Sequence, residues 1–197
     1  MYGMCGPLVL VLMLVELSHS VVPRMGSFGL VEYMEGEVGI VIAVPHGGLE
    51  DDLDIPKRTY GILEGDDHTK DLGEVVTSSI CKTLGKCPHL IISNLKRTKL
   101  DPNRDIHEAA QGNLKAETTW RQYHGFIDEA KATEGHGVVI DLHGQSHRKN
   151  STEFGYLLST EQLNRGEFDS DKSSVRELAQ MTGQTGQQIM TGSLLDI

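Results

Sequence analysis

Basic residues are scarce in this chain. Lysine and arginine total 18 against 28 aspartates and glutamates, a formal net charge of −10 over 197 residues. Such a surface is not built to neutralise phosphates, so nucleic acid is not an expected partner. Long apolar runs are also missing. The amino-terminal run at 8–15 has eight residues, whereas a bilayer core needs about 20, so no membrane anchor is expected. The 22 glycines follow no three-residue period and there are no internal repeats, which excludes collagen-like and low-complexity chains. What is present, 38% hydrophobic and 23% charged residues, is globular composition at a length one core can serve.

The run at 8–15 is followed by Ser18-His19-Ser20, with small residues at the two positions a signal peptidase reads. Residues 1–20 therefore read as a secretory signal, which makes a secreted protein the expectation. No lysine or arginine precedes Arg24, so a buried amino-terminal strand or a misplaced gene start is the alternative. Secretion agrees with the cysteines. Cys5 would leave with the signal, and Cys81 and Cys87 flank the Leu84-Gly85-Lys86 turn. There a disulfide would staple a helix end to the next strand; two small buried thiols are the other reading. Asn150-Ser151-Thr152 is a glycosylation acceptor if the chain is secreted.

VGIVIAV at 38–44 is continuous, β-branched and closed by Pro45, as expected for a strand buried on both faces. Leu72, Val75, Val76, Ile80 and Leu84 recur at helical steps, predicting a helix over 70–84 that Gly85 ends. A strand over 89–93, a helix over 113–133 (Leu114, Trp120, Tyr123, Ile127, Ala130) and a strand over 137–142 follow. This alternation predicts an α/β fold with a mostly parallel sheet and helices on both faces, forming one domain over 21–182. A further strand at 155–159 and a short helix at 171–181 are expected. Residues 183–197 show no period and stay unassigned.

Two segments share one build: Val41-Ile42-Ala43-Val44-Pro45-His46-Gly47-Gly48 and Val138-Val139-Ile140-Asp141-Leu142-His143-Gly144. In parallel sheets ligands bind beyond the carboxyl ends of the strands, so neighbouring strands would aim both imidazoles into one crevice. A catalytic zinc takes three protein ligands, commonly two histidines and a carboxylate, and keeps a fourth position open. Glycines 47, 48 and 144 would leave room there. Either histidine alone could instead bond a loop carbonyl. Glu50, Asp66 and Asp67 are the candidate third ligands, with helix capping the alternative for Asp67 and solvated charge for the acids at 50–52. Asn103 and Arg104 lie in a proline-fixed turn, where an arginine fork can take a carboxylate. A salt bridge from Arg104 to Asp101 or Asp105 is the competing reading.

With Pro45-His46-Gly47-Gly48, Asp67-His68-Thr69-Lys70-Asp71-Leu72, Asn94-Leu95-Lys96-Arg97, Leu100-Asp101-Pro102-Asn103-Arg104-Asp105, Trp120-Arg121-Gln122-Tyr123-His124 and Ile140-Asp141-Leu142-His143-Gly144 in this order, the chain resembles the N-formylglutamate amidohydrolase family over about residues 38–159. That family is related by fold to zinc carboxypeptidases and aspartoacylase. The resemblance implies a phosphorylase/hydrolase-like fold, a zinc held by His46, Asp67 and His143, and an Asn103-Arg104 grip on the carboxylate of a small N-acyl amino acid. It also implies metal-assisted amide hydrolysis. Asp141, two residues before His143 and on the same strand face, is a candidate partner for the other nitrogen of His143, with a buried hydrogen-bonding aspartate the alternative; His147 either lines the pocket or sits in a loop. The family's proton-shuttling glutamate comes late, in a longer chain. Here Glu153, Glu161, Glu167 and Glu177 follow His143 outside any matching segment; Glu153 is the candidate, and a truncated product is the expectation if none serves. A binding protein without turnover and a γ-glutamyl polymer hydrolase are the competing functions.

Overall fold

The sheet is built around VGIVIAV, which forms a seven-residue strand, β3 (Val38–Val44). In this computed structural model, which describes residues 22–135, 137–145, 153, 155, 157–167 and 173–191, β1 (Arg24–Met25) and β2 (Val31–Met34) precede it. After it come α1 (Thr69–Leu84), β4 (Pro88–Ser93), α2 (Ile106–Ala110), α3 (Leu114–Glu134) and β5 (Val138–Asp141). The strand order is β1-β2-β4-β3-β5. β3 pairs in parallel with β4 and β5, whereas β2 is antiparallel to both β1 and β4. The fold is α/β, but the sheet is mixed rather than mostly parallel, because the short amino-terminal strands add an antiparallel edge.

Alternation along the strands separates two apolar layers, as the two-residue period requires. Val41, Ala43 and Ile91 pack under Tyr123, Phe126, Ile127 and Ala130 of α3, while Ile42, Val44, Leu90 and Ile92 pack under Val76 and Ile80 of α1. Helices therefore cover both faces of the central strands β3 and β4, whereas Val138, Val139 and Ile140 of β5 are exposed. The stripe on α1 is rotated from its expected position: Leu72, Val75 and Leu84 are exposed, and Gly73 and Thr77 lie inward. Gly73 permits this, since a Cβ there would stand 2.7 Å from Val44 Cγ2. α1 leaves β3 on one face and α3 returns the chain on the other, so the connections diverge between β3 and β5. A crevice outside the strand ends is expected at such a point.

Gly85 ends α1 in a left-handed conformation, φ 68°, and Cys81 is disulfide-bonded to Cys87 across that turn. The staple lies at the amino-terminal end of β4, away from the crevice. With a sequence separation of 6, loop entropy gives it about 2 kcal/mol. A Cys81→Ser, Cys87→Ser variant should melt about 5 °C lower; an unchanged melting curve would contradict this.

The chain divides into two units, Met1–Ser146 and His147–Ile197. In the second, α4 (Thr160–Arg165) opens on a capping box of Ser159 and Gln162, and α5 (Ser174–Thr182) is capped by Ser173 and buries Val175 and Ala179. A helix also forms at α6 (Gly186–Thr191), within the stretch without sequence period. Residues 157–159 form no strand, and the described part of the helix expected at 171–181 lies in α5. The signal segment, His147 and the 150–152 acceptor lie outside the described residues.

Candidate metal centre

Ala43 and Asp141 are paired on the adjacent parallel strands β3 and β5. His46 and His143 follow them by three and two residues, so strand register alone brings both imidazoles to one end of the sheet. Their Nδ1 atoms are 3.3 Å apart. The carboxylate between them comes from the loop before α1, where the Asp66 amide donates to the His46 carbonyl at 3.1 Å. Asp66 Oδ2 lies 3.4 Å from His46 Nδ1 and 2.9 Å from His143 Nδ1. His46, Asp66 and His143 are the group of potential metal donors among the described residues.

The separations fit a metal. Bonds of about 2.0–2.1 Å at a tetrahedral centre place neighbouring donors about 3.3 Å apart. The His46 side chain is fully buried and that of Asp66 is 10% exposed, whereas that of His143 is 42% exposed. Among the described residues one side of the group is thus open, as a catalytic metal site needs and a structural one does not.

Behind each imidazole stands a second carboxylate. His46 Nε2 bonds Asp101 Oδ1 at 2.7 Å, and His143 Nε2 bonds Asp141 Oδ2 at 3.1 Å. Holding Nε2–H in this way selects the tautomer that offers Nδ1 to a metal. The two-residue spacing of Asp141 and His143 predicts the Asp141 partner. For Asp101 the local sequence offers only a counter-ion role with Arg104. The structure instead buries it completely among His46, Arg97 (Nε to Oδ2, 2.9 Å) and Arg58 (3.7 Å). Burial drives the Asp101 carboxyl up, but the His46 bond and the Arg97 charge overcome this and hold it well below the usual range. Asp66 is likewise held low, against burial, by His143 and the Gly144 amide. The Asp141 bond raises His143 to about 9 against burial, with Asp66 adding to the rise. Without metal, His143 is therefore an imidazolium bridging two carboxylates.

That charge affects stability. A folded pKa above the ordinary 6.5 contributes stability fully present below 6.5 and lost as pH rises through about 9. In chelator, the melting temperature of the wild-type protein relative to His143→Asn should fall across that window. A constant difference from pH 6 to 10 would show that the imidazolium contributes nothing.

The other sequence candidates separate. Asp67, preferred as the third ligand, is exposed and outside the group; Asp66 takes the position because its own amide is tied to the end of β3. Asp67 does not cap α1 either, since the cap position is His68, left-handed at φ 62° and without a side-chain cap bond. Glu50 is exposed and bridges to Leu95. Asn103 reaches the centre: its Nδ2 lies 2.6 Å from Asp141 Oδ2 and 3.0 Å from His143 Nε2. The Arg104 guanidinium is held by the Asn103 carbonyl and by Glu108, 3.5 Å from its Nε, rather than by Asp101 or Asp105; Asp105 caps α2. Trp120 and His124 on α3 bond the carbonyls of Arg104 and Pro102, fixing the turn that presents Asn103. Glycines 47 and 48 make room for protein: a Cβ on Gly47 would be 2.5 Å from the Lys70 amide, and one on Gly48 would strike the Asn94 carbonyl. Glu153 is exposed and belongs to the second unit.

Comparison of the chain with protein-family models, with curated proteins and with solved structures returned no match. Sequence motifs and site geometry therefore carry the functional reading.

Proposed function

We propose that the protein is a zinc-dependent amidohydrolase that cleaves the amide of a small N-acyl amino acid, with N-formylglutamate the representative substrate. The observation that carries this reading is the set of three donors 2.9 to 3.4 Å apart, each histidine backed by a carboxylate and the His143 side exposed. Borderline-soft imidazole nitrogens with one carboxylate oxygen are a donor set that suits zinc. His46, Asp66 and His143 would hold the ion, which supplies Lewis-acid activation of a water and of the amide carbonyl. Asp101 and Asp141 keep the two imidazoles in the ligating tautomer. Asn103, beside His143, and its neighbour Arg104 are the proposed carboxylate grip, which requires Arg104 to exchange Glu108 for substrate. Hydrolysis also requires a carboxylate to accept the water's proton and pass it to the leaving amine as the C–N bond breaks. The hydrolase-like fold is part of this proposal. So is secretion, which the Cys81–Cys87 disulfide supports because such bonds persist in oxidising compartments.

The test uses the full chain with N-formylglutamate and measures released formate and amine. Turnover abolished by a chelator and restored by zinc is the expected result. If the substrate raises the melting temperature but no amine appears over hours, the enzyme reading fails and a binding protein remains.

A further inference from the structure

Two carboxylates at the centre do different work, yet both meet the same side chain. Asp101 turns Oδ1 to His46 and Oδ2 to Arg97 Nε, at 2.7 and 2.9 Å. Asp66 turns Oδ2 to the two imidazoles, while its Oδ1 stands 3.9 Å from Arg97 Nη1. The same Nη1 donates to the Glu64 carbonyl at 3.3 Å, two residues before Asp66. The Arg97 carbonyl in turn accepts from buried Arg58 at 3.1 Å. One guanidinium with a side chain only 10% exposed therefore joins the loop carrying a candidate ligand to the turn carrying the partner of another.

We propose that Arg97 is a positioning residue that presents Asp66 to the metal through one oxygen only. The inference rests on the metal reading above. A free carboxylate can rotate and coordinate through both oxygens. Asp66 Oδ1 instead lies on the guanidinium side, 3.9 Å from Arg97 Nη1, so that only Oδ2 would reach a metal and a fourth position would stay open. The same fork fixes Asp101 and, through it, the His46 ring. The planar arrangement of arginine donors matters here, because a lysine ammonium is a single point charge and cannot hold both carboxylates in one geometry.

The experiment compares the full-length wild type, Arg97→Gln and Arg97→Lys in three measurements: near-ultraviolet circular dichroism without metal, zinc affinity by competition with a chromophoric chelator, and the visible spectrum with cobalt(II). Arg97→Gln should bind zinc about ten- to a hundredfold more weakly, the usual range for partners behind the ligands. Its cobalt bands should lose intensity as Asp66 becomes bidentate and the coordination number rises. Arg97→Lys should show both changes, less strongly. Wild-type affinity and spectrum in a folded Arg97→Gln would overturn the proposal. So would full rescue by Arg97→Lys, which would assign the effect to charge alone. If Arg97→Gln fails to fold, Arg97→Lys decides by the same criteria. A wild type that takes up no zinc contradicts the metal reading itself, an outcome visible before any variant is compared.

Discussion

Asp101→Ala should melt about 10 °C below the wild type in the absence of metal. Its carboxylate is completely buried, and removing it leaves His46, Arg97 and Arg58 facing one another without their shared counter-charge. Breaking a buried pair in this way costs about 3–5 kcal/mol, and each kcal/mol moves the midpoint of a chain this size by about 2–4 °C. The effect also has a pH signature. Because Asp101 is held below its ordinary 3.8 in the folded protein, its contribution is present above that pH and is lost as pH falls. The gap between wild type and variant should therefore narrow on acidification below about pH 4, the ordinary carboxylate range. Thermal melts from pH 3 to 7 test this. A gap under 2 °C at pH 7 would mean that Asp101 does not hold the centre together.

The second large effect separates two adjacent carboxylates. Asp66→Ala should weaken zinc binding at least about a hundredfold, since partners that do not touch the metal are already worth about ten- to a hundredfold. Asp67→Ala should leave affinity within about twofold, because that side chain is exposed and outside the donor group. Chelator competition on the two variants gives the answer directly. The reverse order would return the third ligand to the position suggested by the family resemblance.

This pair also shows where sequence reading stopped. β3, β4, β5, α1 and α3 were legible because each is a β-branched run or a stripe of helical period. The pairing of His46 with His143 followed from two strand ends of the same build. β1, β2 and α2, with two, four and five residues, are too short to display a period. Missing the two strands made a mixed sheet look parallel. Asp66 and Asp67 have the same chemistry and nearly the same neighbours in sequence. A hydrogen bond from the Asp66 amide to the His46 carbonyl ties the first to the end of β3, a contact that local sequence does not display. Asp101 escaped for a related reason: its partner is 55 residues away, and local reading offered nearby Arg104 instead. Arg97 appeared in a family-like motif without a role, since the two carboxylates it joins come from different loops.

The central claim is that His46, Asp66 and His143 hold one metal ion. Metal content after zinc loading and gel filtration tests it most directly. The wild type should retain about one zinc per chain and a His46→Ala, His143→Ala variant essentially none. Equal content in the two proteins, or none in either, would contradict the account.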